Sequence, residues 1–238
     1  MREPIRLFVE SAARQLAGPG PVVEFGAYRV AGQERLADLR PLFPGRAYTG
    51  VDLRAGPGVD RVGDLAAAPF ETGSVGTLLC LETLEHVFEL PRALAELERM
   101  LAPGGLLLAS TPFHFHIHAH PDDYWRLTPS AWARLLAPYA AWRVGAVGVP
   151  SRPHTVLVLA VKGPAPEGSE ARLDAACAAT TAALQGLARA QPLGARLAWA
   201  LKAPLRSRGE REDRRRAHEV AWRASGPAGA RAGAQPSA

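Results

Sequence analysis

At 238 residues with 47% hydrophobic content, the chain is long enough to bury the core of one domain with a helical appendage, and too short for two full domains. No apolar run reaches the roughly 20 residues that span a bilayer, and Met1-Arg2-Glu3-Pro4 lacks the basic-then-apolar order of a signal peptide, so the expected location is the cytoplasm. The net charge of +5 is uneven, because residues 196–238 hold 10 Lys/Arg against 4 Asp/Glu and leave the rest nearly neutral; Cys80 and Cys177 alone do not make a disulfide framework.

Apolar Ile5, Phe8, Val9, Ala12 and Leu16 recur at helical spacing and predict a helix over 3–17, stopped by Gly18-Pro19-Gly20-Pro21. Strands are predicted at 21–27, 47–53, 59–63, 75–81 and 104–110, with helices near 33–41 and 91–102 between some of them. Such alternation makes a parallel sheet. A polar, aromatic, His-rich segment runs from Thr111 to Pro129, followed by a helix near 130–138 and strands near 142–148 and 154–162. The short connection Gly148 to Pro153 makes the last two strands an antiparallel hairpin and brings the count to seven. Residues 164–169 read as a Pro/Gly linker, and 170–190 as an Ala-rich helix lying outside the core, with Leu173, Cys177, Leu184 and Leu187 along one side. The chain therefore divides into a domain over 1–163, a linker and helical extension over 164–205, and a basic tail over 206–238 that is expected to be disordered. Within the extension, Leu197, Trp199 and Leu201 alternate with Arg196 and Lys202, which suits either an interfacial helix making peripheral membrane contact or, more simply, a helix docked on the core.

The first strand ends in Glu24-Phe25-Gly26, the second in Val51-Asp52 and the third in Gly63-Asp64. Three consecutive strands that deliver a carboxylate near their C-terminal ends describe the crevice of an open α/β sheet, where nucleosides bind. An ionised carboxylate only accepts hydrogen bonds, so Asp52 can take both donors of a ribose diol and Asp64 an exocyclic amine. Gly26 lets the backbone approach a ligand with no Cβ in the way.

With the blocks Leu81-Glu82-Thr83-Leu84-Glu85-His86-Val87 and Leu101-Ala102-Pro103-Gly104-Gly105, residues 20–163 resemble the class I S-adenosylmethionine-dependent methyltransferases, of the type 11-like kind. The resemblance implies an α/β fold: a Rossmann-like seven-stranded, mostly parallel sheet with helices on both faces. It implies S-adenosylmethionine as cofactor, held by Glu24, Gly26, Asp52, Asp64, Leu65 and Glu82. It also implies methyl transfer to a small-molecule or glycan/lipid-linked acceptor. O-methylation is favoured because Cys80-Leu81-Glu82-Thr83 stands where an Asn-Pro-Pro-Tyr-type loop serves planar amines. One departure is serious: Tyr28 and Val30 replace the second and third glycines of the first turn. Either the loop is rebuilt with Gly32 and Gln33, or the cofactor site is degenerate, Tyr28 fills it, and the chain is a non-catalytic binding or scaffold protein.

Methyl transfer from a sulfonium is an in-line displacement, and a hydroxyl acceptor must lose its proton to a base. In Thr111-Pro112-Phe113-His114-Phe115-His116-Ile117-His118-Ala119-His120, an extended backbone would put four imidazoles on one face, and His118 and His120 are the candidate bases. Asp123, Tyr124, Trp125 and Arg126 follow as candidates for acceptor recognition. If Glu82, Glu85 and His86 lie on a helix they share a face, and with His118 or His120 they could hold a divalent metal such as Mg, Mn or Zn. The metal stays an open alternative to capping roles for these residues. The basic tail motivates a nucleic-acid acceptor only as a weaker rival, and oligomeric state is not legible.

Overall fold

A computed structural model describes residues 2–16, 18–118, 122–190 and 208–225. In chain order the elements are α1 (Glu3–Gln15), β1 (Val22–Phe25), α2 (Glu34–Ala37), β2 (Tyr48–Asp52), β3 (Arg61–Val62), β4 (Val75–Leu81), α3 (Leu90–Met100), β5 (Leu101–Pro112), α4 (Pro129–Leu135), β6 (Ala141–Val149), β7 (Arg152–Val161), α5 (Ser169–Arg189), α6 (Arg208–Arg216) and β8 (Val220–Ala224). They form one sheet in the order β3-β2-β1-β4-β5-β7-β6-β8. Strands β1 to β5 pair in parallel, while β7 is inserted antiparallel between β5 and β6. The order reverses between β1 and β4, which opens a crevice at their C-terminal ends.

Period-2 alternation explains why the central strands are apolar on both sides. Leu78 and Cys80 of β4, with Leu107 and Ala109 of β5, pack under α3 and α4 against Leu97, Met100 and Trp132. Leu79, Leu81, Leu106 and Leu108 point the other way, onto α1 and α5. Trp132 is fully buried, and its indole N–H donates to Thr111 Oγ1 at 3.0 Å, so its one polar atom is satisfied. Helix α1 lays Ile5, Phe8, Val9 and Ala12 on the sheet, as its spacing predicts.

Among the described residues the sheet has eight strands rather than seven. Residues 208–216 form α6 and 220–224 form β8, which pairs antiparallel with β6, so this part of the tail is ordered against the domain instead of disordered. Gly145 of β6 makes room for it: a Cβ there would lie 2.8 Å from the Trp222 ring. The same indole donates to Thr181 Oγ1 on α5 at 3.2 Å. Helix α5 is likewise part of the core, because Leu173, Ala176, Cys177, Thr180 and Leu184 are buried against α1 and the sheet. The helix predicted at 33–41 is shorter, breaking after Ala37 into a 3-10 turn at Arg40–Leu42, and β3 shrinks to two paired residues. The reading of 193–205 lies outside the described residues. Among the described residues no helix is long and apolar enough to cross a membrane.

Candidate active site

A cleft of about 600 Å³ opens at the crevice, within the size range of small-molecule sites. Each predicted cofactor residue lines it: Glu24 from β1 and Gly26 just after it, Asp52 from β2, Asp64 and Leu65 after β3, and Glu82 after β4.

Gly26 has φ +80°, and a Cβ there would sit 2.1 Å from Thr83 Oγ1. The Thr83 hydroxyl faces the carbonyl oxygens of Leu81 at 3.0 Å and Phe25 at 3.2 Å, stapling the turn after β4 to the turn after β1. Asp52 accepts from the backbone N–H groups of Tyr28 and Arg54, both at 3.2 Å, one on each oxygen. With two lone pairs per oxygen, acceptor capacity remains on both. Asp64 Oδ1 accepts from Ala66 N at 2.9 Å, so this acid also caps the short turn beside it.

Tyr28 does not fill the cleft. Its backbone N–H orients Asp52, and its ring stacks under the Arg54 guanidinium at 4.5 Å along the wall. Gln33 lines the cleft, and Gly32, at φ +83°, bonds Glu34 Oε1 through its N–H. The turn without its second and third glycines is thus rebuilt around Tyr28, Gly32 and Gln33.

Glu24 is 5% exposed, and Tyr48 donates its hydroxyl to Oε2 at 2.6 Å. Burial pushes its carboxyl up to about 7, with the Tyr48 hydrogen bond opposing the rise. The Tyr48 phenol is raised as well, by the same burial and by the adjacent carboxylate.

At the other end, the Glu82, Glu85, His86 trio does not form as the sequence suggests. Glu82 has φ +49° and precedes a 3-10 turn at Leu84–His86, so no helical face joins the three side chains. Its Oε2 instead meets Arg2 Nη2 at 2.6 Å. The structure groups Glu85, His86 and His118, whose ligand atoms lie within 4.8 Å of one another. Glu85 is fully buried with neither carboxylate oxygen hydrogen-bonded. Burial, reinforced by the Glu82 charge, raises its pKa well above the usual carboxylate value. His86 Nδ1 donates to the Asp122 carbonyl, and His118 Nδ1 lies 3.0 Å from Asp123 Oδ2.

Asp123 and Arg126 face each other rather than the cleft. Arg126 spans both Asp123 oxygens, with Nη2 to Oδ2 at 2.6 Å, and its hydrogen bonds hold that carboxyl well below the usual range. Neither lines the cleft. Tyr124 stacks on Phe88 at 5.2 Å between ring centroids, and the Trp125 indole N–H donates to Val87 O, so these two form a partly exposed aromatic shelf near Glu85. The His-rich segment is not one strand: β5 ends at Pro112, and of His114, His116 and His118 only His118 lines the cleft. His120 lies outside the described residues. Sequence reasoning missed Arg2, Thr83 and Phe115 as lining residues.

An open α/β sheet with carboxylates at three consecutive strand ends around one cleft is the arrangement in which doubly wound sheets bind nucleosides. Residues 36–109 match the methyltransferase domain family. A probable S-adenosylmethionine-dependent methyltransferase of Mycolicibacterium smegmatis is 34% identical over 96 residues, covering 38% of this chain and 37% of that protein, so the chain spans little more than a third of that relative. Among solved structures, a Burkholderia thailandensis 1,6-didemethyltoxoflavin-N1-methyltransferase superposes with a TM-score of 0.51 at 22% identity, covering 67% of this chain and 78% of that one. A Thermotoga maritima S-adenosylmethionine-dependent methyltransferase, described as a possible histamine N-methyltransferase, gives 0.47 at 20% identity over 66% of this chain and 89% of that one. Over residues 36–109 the chain is thus similar to a methyltransferase domain, and its sheet has the fold of these solved structures.

Proposed function

We propose that the protein transfers the methyl group of S-adenosylmethionine to a hydroxyl of a small-molecule or glycan/lipid-linked acceptor. The observation that carries the reading is the open cleft in which Glu24, Asp52 and Asp64 converge on the rebuilt turn after β1. Its acceptor-only groups suit a ribose diol and an exocyclic amine, and the space that Tyr28 leaves open speaks against the scaffold alternative. When bound, the cofactor supplies an electrophilic methyl on a sulfonium. Asp52 would hold its ribose and Asp64 its base, while Gly26 lets the turn after β1 close onto the Thr83 staple.

His118 borders the cleft, with Asp123 beside its Nδ1 and Arg126 fixing Asp123. Asp123 Oδ2 accepts from the His118 backbone N–H at 2.9 Å and sits 3.0 Å from Nδ1, and a carboxylate on that side favours the other ring nitrogen as proton acceptor, which is the role this reading gives His118 toward an acceptor hydroxyl. The Phe88, Tyr124 and Trp125 shelf offers apolar faces to an acceptor ring or sugar.

Calorimetry with S-adenosylhomocysteine tests the cofactor. Wild type should bind in the micromolar range, and Asp52→Ala should lose about 1.5–3 kcal/mol, the worth of a hydrogen bond to a charged group. A folded wild type with no detectable binding would return the scaffold reading to first place.

A second reading has its own observation, the buried carboxyl of Glu85, which has no hydrogen bond and lies 3.7 Å from His86 Nε2, with His118 beside it. This mixed oxygen and nitrogen set fits a divalent ion such as Mn or Zn, which would hold an acceptor oxygen near the methyl group. Titration with MnCl2 and ZnCl2 should then show one site that Glu85→Gln removes. Absence of binding by either metal eliminates this reading.

A further inference from the structure

We infer that Arg2 and Glu82 form a clamp for the zwitterionic amino-acid end of the cofactor, with Arg2 taking its carboxylate and Glu82 its ammonium. The inference rests on the proposed cofactor and adds a residue from α1's leading edge that no strand-end motif includes.

Both side chains line the cleft, and their ion pair measures 2.6 Å with 30% and 20% of the side chains exposed. Arg2 is held from two further sides. Its Nη1 lies 3.3 Å from His154 Nδ1, and its guanidinium sits over the Phe115 ring at 5.1 Å. His154 is itself fixed, with Nε2 donating to the Ala217 carbonyl at 2.8 Å, so the C-terminal segment buttresses Arg2 through one imidazole. Burial lowers the His154 pKa and keeps this neighbour of Arg2 neutral.

Glu82 is the one non-glycine with positive φ among the described residues. That conformation costs energy in an ordinary side chain and persists where the surroundings enforce it. Here Glu82 N donates to Ser110 O at 2.9 Å, and Ser110 Oγ lies 3.3 Å from Oε1. The strained turn aims the carboxylate into the cleft.

The pair is complementary in sign to the ligand's own two charges. Exchange of one ion pair for two leaves no charge unpartnered, which avoids the penalty of stripping water from a lone charge. Of the two arginines that line the cleft among the described residues, Arg54 is stacked on Tyr28 beside Asp52, on the ribose side. Arg2 is therefore the guanidinium placed for the far end, where its fork can grip a carboxylate in two places.

The test compares S-adenosylhomocysteine, which carries the amino-acid end, with 5′-methylthioadenosine, which keeps the nucleoside and thioether and lacks that end. Binding of each is measured by calorimetry on wild type, Arg2→Ala and Arg2→Lys. Arg2→Ala should weaken S-adenosylhomocysteine about 10- to 100-fold, the loss expected for a charge-assisted contact, and change methylthioadenosine by less than about twofold. Arg2→Lys should recover part of the loss, since charge returns without the fork. Retained methylthioadenosine binding also reports that each variant folds. Equal losses for both ligands, or no loss for S-adenosylhomocysteine, would overturn the clamp while leaving the cofactor assignment in place. A wild type that binds neither ligand would overturn both.

Discussion

Gly26→Ala should destabilise the protein by about 2–4 kcal/mol, as the sum of left-handed strain and a steric contact with no free space. At φ +80° any side chain is strained, and the new Cβ would fall 2.1 Å from Thr83 Oγ1. The contact cannot be relieved cheaply, because the Thr83 hydroxyl is tied to the carbonyls of Phe25 and Leu81 and sits where two strand ends meet. Either the turn after β1 or the turn after β4 must move, and both line the cleft, so S-adenosylhomocysteine affinity should fall at least about tenfold as well. A double-mutant cycle separates strain from collision. Thr83→Ala removes Oγ1 and leaves a Cβ–Cβ approach of 3.2 Å, which a small shift accommodates. Gly26→Ala should therefore cost about 1–2 kcal/mol less in the Thr83→Ala background when both are measured by urea unfolding. Strict additivity would show that the two turns do not touch as described.

The strand ends that set this geometry were legible because burial writes a simple pattern. Leu78 to Leu81 and Leu106 to Ala109 are apolar throughout, as a parallel sheet covered on both faces requires, and each ends where polar residues begin. Glu24, Asp52 and Asp64 could be placed at one crevice from that pattern alone. Partners across long sequence separations left no such trace. Arg2 and Glu82 are 80 residues apart, and nothing in the spacing of α1 marks Arg2 as a cleft residue. Strand β8 carries an exposed, mixed-polarity pattern over five residues, indistinguishable in sequence from a solvated tail, and is held by backbone pairing to β6 and by the Trp222 ring over Gly145. The His-rich segment misled because its alternation suits a strand. Phe113 N and His114 N instead bond the carbonyls of His154 and Pro153, and Arg126 Nη2 contacts the His116 carbonyl, so only His118 reaches the cleft. Likewise Asp123 and Arg126 satisfy each other first, since a buried carboxylate with a guanidinium three residues away needs no ligand.

Replacing Glu24 by Gln should flatten a pH dependence of stability worth about 3 kcal/mol, the equivalent of the difference between a folded value of about 7 and an unfolded value of 4.5. The sign follows from proton counts. Because burial raises the folded value above the unfolded one, the folded protein holds the Glu24 proton over a range in which the unfolded chain has lost it. The stability tied to this proton is complete below about pH 4.5 and disappears as pH rises through about 7. Above that, the folded state carries a carboxylate that is 5% exposed and relies on the Tyr48 hydroxyl at 2.6 Å. The Gln amide is neutral at every pH and its oxygen can still accept from Tyr48, so packing and hydrogen bonding are retained while the titration is removed. Urea unfolding at pH 5 and pH 8 should give a Glu24→Gln variant that gains on wild type by most of that 3 kcal/mol between the two conditions. Taking the difference between the two proteins matters, because Glu85 is also raised by burial and slopes the wild-type curve in the same direction. Parallel curves for wild type and variant would place the Glu24 carboxyl near its ordinary value and put water, not protein, around it.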